Sequence, residues 1–172
     1  MLRAAQLLML VLGAPGVTVF GASASLPDIG LPLDRLTATN LRDTFDEIHS
    51  GHPHEAIDLA APKGTPVHAV VPGVIRKLFL SKPGGNTNYE FDDMGVYCYY
   101  YAHLDRYAEG LREGMRVARG DVIGFVGSTG NADPGSPHLH FAMFELGPEK
   151  LWWKGKALNP YQALLAAVKR TK

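Results

Sequence analysis

The chain has 172 residues, 46% of them hydrophobic and 20% charged, a balance that fits one compact soluble domain. Seventeen basic and seventeen acidic residues give a formal net charge of zero, and no dense Lys/Arg run occurs. Electrostatic binding to nucleic acid is therefore not expected.

The first element reads as a targeting segment. Met1-Leu2-Arg3 is a short basic start, and the apolar run after it is broken by Gly13, Pro15 and Gly16. Ala22-Ser23-Ala24 matches a cleavage site of small residues. The expectation is a signal peptide over residues 1–24 and a protein exported to the periplasm or the extracellular space. The run approaches spanning length, so an uncleaved membrane anchor is the rival reading. No stable membrane insertion is expected after cleavage. Nothing in the sequence speaks to oligomeric state.

Residues 25–45 contain prolines and little periodicity, and read as an extended lead-in ending in a turn or short helix. From residue 54 the texture is β. "HEAIDLA", "PVHAVV", "GVIRKLFL", "GVYCYYYAHL", "MRVA", "DVIGFVG" and "HLHFAMFEL" are predicted strands. Gly/Pro-rich turn signals such as "APKG", "KPGGN" and "STGNADPGSP" separate them. The expected fold is a mainly β, antiparallel domain of barrel-sandwich hybrid type. It occupies residues 46–160, and a C-terminal helix follows at 161–172. Asn159 is positioned to cap that helix, and Pro160 suits its first turn.

Histidines carry the chemical signal. His138 and His140 lie two apart in a predicted strand, so they share a face. On their own they could be two satisfied polar residues. His54 and Asp58 lie four apart in "HEAID", which as a strand puts His54, Ala56 and Asp58 on one face. The segment is not an HExxH zinc helix, because residue 58 is Asp. His54, Asp58 and His140 form a two-nitrogen, one-oxygen set that suits Zn²⁺ with a position left for water. His103 ends the predicted strand "YYYAHL", and with His138 it would remain unliganded.

These stretches together closely resemble the lysostaphin-type (LytM-like) zinc metallopeptidases, which cut peptide stems or cross-bridges of bacterial peptidoglycan. The resemblance rests on HxxxD at His54–Asp58, "YAHL" at 101–104 and HxH at His138–His140, in that order, and runs from about Asp43 to Pro160. It implies that His54, Asp58 and His140 are Zn²⁺ ligands and His138 a catalytic histidine. It further implies that His103 helps bind substrate and stabilise the transition state. The common family form has Gly in the middle of HxGxD, where this chain has Ala56. The implied function is a zinc metallo-endopeptidase with a peptidoglycan peptide as substrate. Some family members have lost ligands and act as activators of other wall hydrolases. That alternative is disfavoured here, because all five positions are filled.

The remaining residues read more plainly. "GSTGNADPGSP" lacks the Gly-Lys-Ser/Thr ending of a phosphate loop and reads as a groove wall, with Asn131 as a weak substrate contact. His49, His52 and His68 read as structural or surface residues, Trp152 and Trp153 as packing, and Cys98 as a small buried hydrophobe. "GTPVHAVVPGVI" and "EGMRVARGDVIGFV" also resemble halves of biotinyl and lipoyl carriers. Neither Lys77 nor Lys82 sits in an acceptor motif, so the likeness reads as shared architecture alone.

Overall fold

The computed structural model describes residues 26–49 and 51–171, so the signal-peptide expectation lies outside the described residues. A two-stranded hairpin, β1 (Ile48–His49) and β2 (His52–Pro53), precedes the main sheet. The sheet is built from β3 (Ile57–Ala60), β4 (Pro66–His68), β5 (Gly73–Ser81), β6 (Gly85–Asp92), β7 (Tyr97–Tyr107), β8 (Arg116–Val117), β9 (Val122–Val126), β10 (His138–Leu146) and β11 (Gly155–Leu158). Helix α1 (Tyr161–Arg170) follows, the one helix among the described residues.

The pairing is antiparallel throughout, with β11, β10, β7, β6, β5 and β8 side by side. β3 pairs with the first half of β10, and β9 bridges β7 and β4. The path ends at β8 and β11 without closing, so the sheet is not a closed barrel. All seven predicted strands are present. Four were not foreseen: β1, β2, β6 and β11. β6 escaped because it buries polar side chains on both faces, Thr87 on one and Asn88 and Glu90 on the other.

One strand boundary differs from expectation. His54, Glu55 and Ala56 are not in a strand, because Glu55 adopts a left-handed backbone (φ +55°) and β3 starts only at Ile57. In the lead-in the chain turns without forming a helix. Ile29, Leu33, Leu36 and Leu41 are nonetheless buried in the same core as Leu59, Tyr101 and Phe141. Helix α1 buries Ala163, Leu164, Ala167 and Val168, an i, i+1, i+4, i+5 stripe that seals one side of that core. Pro160 lies just before the helix rather than inside it, and Asn159 Oδ1 accepts a hydrogen bond from Tyr161 N at 2.9 Å. Cys98 is fully buried, as expected. Among the described residues no helix is long and apolar enough to cross a membrane.

Glu90 is the costly feature of this core. Its Oε2 accepts hydrogen bonds from the Tyr101 hydroxyl and, at 3.3 Å, from Val70 N, while Oε1 has no partner. Burial pushes its carboxyl up from an ordinary 4.5 to about 7, against the opposing pull of Tyr101. Below pH 4.5 the folded and unfolded chains both hold the proton, and Glu90 costs nothing by this route. Between about 4.5 and 7 the unfolded chain ionises first, so stability falls as pH rises. The full shift is worth about 3 kcal/mol. Glu90→Gln should abolish that part of the decline, so its gain over the parent is larger at pH 8 than at pH 5. Thermal melts of both proteins at the two pH values check this, and an equal difference at both would contradict it.

Candidate metal and catalytic centre

Strand register brings the first two polar groups together. His140 on β10 lies directly opposite Asp58 on β3, and opposite Ala102 of β7 on its other side. Directly paired residues of an antiparallel ladder set their Cβ atoms about 4.5–5.5 Å apart, close enough for the two side chains to share a centre. The same register carries His103, the next residue of β7, to the neighbourhood of both HxH imidazoles. The left-handed kink at Glu55 then turns His54 inward, above Asp58.

The resulting triangle is tight. His54 Nε2 is 3.0 Å from His140 Nδ1 and 3.2 Å from Asp58 Oδ1, and His140 Nδ1 is 3.2 Å from the same oxygen. His54 Nδ1 lies 3.1 Å from the Thr44 carbonyl, which can only accept. The ring proton is therefore on Nδ1, and Nε2 presents a lone pair to the centre. Asp58 Oδ1 is buried with no hydrogen-bond donor aligned on it.

With both imidazoles neutral, three polar atoms converge with at most one proton among them, on His140 Nδ1, which is the donor set of a bound cation. Bonds of about 2.0–2.1 Å to a tetrahedral ion set ligand atoms about 3.3–3.4 Å apart. The observed triangle is that arrangement drawn in by a few tenths of an ångström. The residues present therefore fit a small divalent ion held by two nitrogens and one oxygen.

Electrostatics agree with the geometry. Burial alone would raise the Asp58 carboxyl, but His140 and His54 beside it hold it well below the usual carboxylate range. Burial pushes His140 down, partly offset by Asp58. At His54 burial also pushes down, but Asp58 wins and the net shift is upward. Thr44 supports two of the three groups at once. Its carbonyl takes the His54 proton, and its hydroxyl accepts from Asp58 N at 3.1 Å while donating to Ala56 O at 3.2 Å. Such outer partners fix ring orientation and ligand basicity.

Two further imidazoles flank the triangle. His103 is buried, holds a left-handed backbone (φ +59°) and donates Nδ1–H to the Thr129 carbonyl at 2.8 Å. His138 donates Nδ1–H to the Ser136 carbonyl at 2.9 Å. Both rings thus keep Nε2 free. Their centroids are 4.9 Å apart, and His138 Nε2 is 3.8 Å from Asp58 Oδ1. Burial pushes His103 down to about 4, so it is neutral near pH 7. Gly127 lets the strands approach this closely: a Cβ there would collide with Asp105 N and lie 2.8 Å from the His103 carbonyl oxygen.

All five histidine and aspartate positions singled out in the sequence line one cavity of about 350 Å³, and Asn131 lies on its wall. Asn131 is held there by its N–H, which donates to the Pro83 carbonyl at 2.9 Å. Three participants were missed. His49 stacks on the His54 ring with centroids 4.0 Å apart. Its nitrogen also joins His54 and Asp58 in a looser set, within 4.8 Å, but the triangle completed by His140 is far tighter. Tyr100 sets its ring against the edge of His140 at 5.8 Å. Thr44 lies ten residues before the first ligand, outside any motif. None of the three carries a local sequence signal, since each arrives through the fold. His52 lines the cavity and is exposed, as expected, and His68 lies away from it, with Nδ1 bonded to the Gly120 carbonyl and Nε2 3.1 Å from Asp34 Oδ1.

Comparison with known proteins places this geometry. The chain is 34% identical over 118 residues to the L-Ala–D-Glu endopeptidase of Bacillus subtilis, covering 66% of this chain and 35% of that protein. It is 44% identical over 119 residues to the DD-carboxypeptidase/endopeptidase Mpg of Neisseria meningitidis serogroup B, covering 65% of this chain and 26% of that protein. The chain thus spans about a third or less of these curated relatives. Among solved structures, the catalytic domain of lysostaphin from Staphylococcus simulans superposes with a TM-score of 0.58 at 32% identity, covering 67% of this chain and 81% of that one. The profile of Peptidase family M23 matches residues 52–160, which take in β2, the whole main sheet and all five site positions. With fold, motif order and more than half of the chain in agreement, the protein belongs to peptidase family M23.

Proposed function

We propose that this chain is an exported zinc metallo-endopeptidase that hydrolyses peptide bonds in the stems or cross-links of bacterial peptidoglycan. The observation that carries the reading is the 3.0–3.2 Å triangle of His54, Asp58 and His140, flanked by two imidazoles whose Nε2 atoms are free. Three protein ligands and an open side are the pattern of a catalytic rather than a structural zinc site. The relatives' names point to different peptide bonds, and one relative, 35% identical over 97 residues, is named a peptidoglycan DD-endopeptidase, ShyC of Vibrio cholerae. Residues 1–24 carry the export signal in this reading, residues 25–45 the lead-in, 46–160 the catalytic domain and 161–172 the terminal helix.

His54, Asp58 and His140 would hold the ion. When bound, Zn²⁺ supplies Lewis acidity, polarising a carbonyl and making water nucleophilic near neutral pH. The chain's own residues handle the proton. His138 and His103 each have Nδ1–H fixed by a carbonyl and Nε2 directed to the cavity. One accepts the proton of the attacking water as the C–O bond forms. The protonated imidazole then returns it to the departing amine as the C–N bond breaks. The other stabilises the oxygen that gains charge in the transition state only in its imidazolium form, since its Nδ1–H is committed to a carbonyl. Asn131 and the 127–137 loop form the wall against which the peptide backbone lies. The alternative, an inactive activator of other hydrolases, needs a vacated position, and His54, Asp58, His103, His138 and His140 are all in place.

Digestion of purified peptidoglycan by the zinc-loaded chain, followed by mass spectrometry of the released fragments, tests this. New amine and carboxyl termini at a peptide bond are expected. An unchanged fragment profile, or cleavage at glycosidic bonds, would overturn the proposal.

A further inference from the structure

A second cavity, of about 470 Å³, adjoins the catalytic one and shares Tyr100 with it. Its walls are aromatic: Tyr89, Tyr100, Phe144, Trp152 and Trp153. The rings form a continuous run. From His140 the centroid steps are 5.8 Å to Tyr100, 4.7 Å to Tyr89, 4.8 Å to Trp152 and 5.3 Å to Trp153. The inner rings are packed, Trp152 lying against Phe79 as well as Tyr89. The outer one is not, since Trp153 is 62% exposed. The packing role expected for the tryptophans therefore holds for Trp152 and fails for Trp153.

This pocket is built by the chain rather than left over. Residues 147–154 loop out between β10 and β11 and carry the tryptophans. Gly155 returns the loop at close range: a Cβ there would meet the Glu145 carbonyl and the Phe144 Cβ, each at 2.8 Å. Two exposed groups of opposite charge complete the lining, Glu55 from the kink beside His54 and Lys154 from the loop. Apolar ring faces beside one acceptor and one cationic donor suit a ligand with an apolar face and a hydroxylated edge. A pyranose ring has that shape. An aliphatic side chain would leave Glu55 and Lys154 unmatched.

We infer that this aromatic pocket is a saccharide subsite, which takes a hexosamine ring of the glycan strand while the attached stem peptide lies in the histidine-lined cavity. The inference rests on the peptidoglycan reading of the catalytic site. The span is right for it: the two ring steps from His140 to Tyr89 are covered by about three residues of extended peptide.

Trp152 and Trp153 are the chain's only tryptophans, so indole emission reports on this pocket alone. Titrating the full-length chain with an N-acetylglucosamine–N-acetylmuramic acid disaccharide should change that emission saturably. In Trp153→Ala the disaccharide should bind about threefold to tenfold more weakly, the range for loss of one aromatic contact. The parent should also cleave a disaccharide-bearing stem peptide with higher kcat/KM than the bare peptide, and this ratio should drop toward one in Trp153→Ala. No saturable emission change, an equal change with the bare peptide, or the same kcat/KM ratio in parent and variant would each overturn the subsite. Disaccharide binding without cleavage of any muropeptide would instead overturn the proposed activity and leave the subsite standing.

Discussion

His54→Ala, Asp58→Ala and His140→Ala should each purify as a folded protein that retains almost no zinc, against about one ion per chain in the parent. The three atoms form one triangle, so removing any corner leaves two ligands and an open coordination sphere. Even removing an outer partner of a metal ligand typically costs about 10–100-fold in affinity, and losing a ligand itself costs more. Thr44→Val provides the graded case. It deletes the hydroxyl that accepts from Asp58 N but keeps the carbonyl that fixes His54, so its zinc affinity should fall within that 10–100-fold range. Metal per chain after dialysis against a weak chelator reads all four variants. Full occupancy in any of the three alanine variants would remove that residue from the ligand set.

His138→Ala and His103→Ala should show the opposite split, with zinc kept and turnover lost. Neither ring contributes an atom to the triangle, and each is anchored by a backbone carbonyl instead. A positioned acid–base group typically contributes about 10²–10⁴-fold to rate. His138 lies closer to the ligand oxygen, at 3.8 Å, and so should show the larger loss. The His103 ring makes no such approach to the ligand oxygen, and His103→Ala should lose less. Zinc content and the rate of muropeptide cleavage, measured on the same preparations, separate the cases. Loss of metal in His138→Ala would make it a fourth ligand and the site a closed, structural one. Undiminished cleavage in either variant would remove that histidine from the chemistry.

The parts of this site that the sequence displays are those fixed by strand periodicity. His138 and His140 share a face because β10 alternates, and HxxxD recurs in family order. The route by which His54 reaches Asp58 is not the one its spacing predicts. A strand was expected to align them, whereas a left-handed turn at Glu55, a residue with no glycine-like signal, brings the ring over. Thr44, His49 and Tyr100 were invisible for a related reason: each joins the centre from another element, and no spacing rule links them to the ligands. β6 was hidden because it buries Thr87 on one face and Asn88 and Glu90 on the other, which erases the apolar alternation of a strand. Strand register has no signature in the pattern of any one strand, although the pairing of His140 with Asp58 decides the whole geometry.

The most direct measurement of the central claim is a zinc titration of chelator-stripped protein, with bound metal and cleavage of cross-linked muropeptides followed together. Cleavage absent from the stripped protein should return in proportion to bound zinc and level off at about one ion per chain, as three ligands around one open position require. Cleavage that survives stripping, or a chain that binds one zinc and still leaves the muropeptides intact, would contradict the assignment.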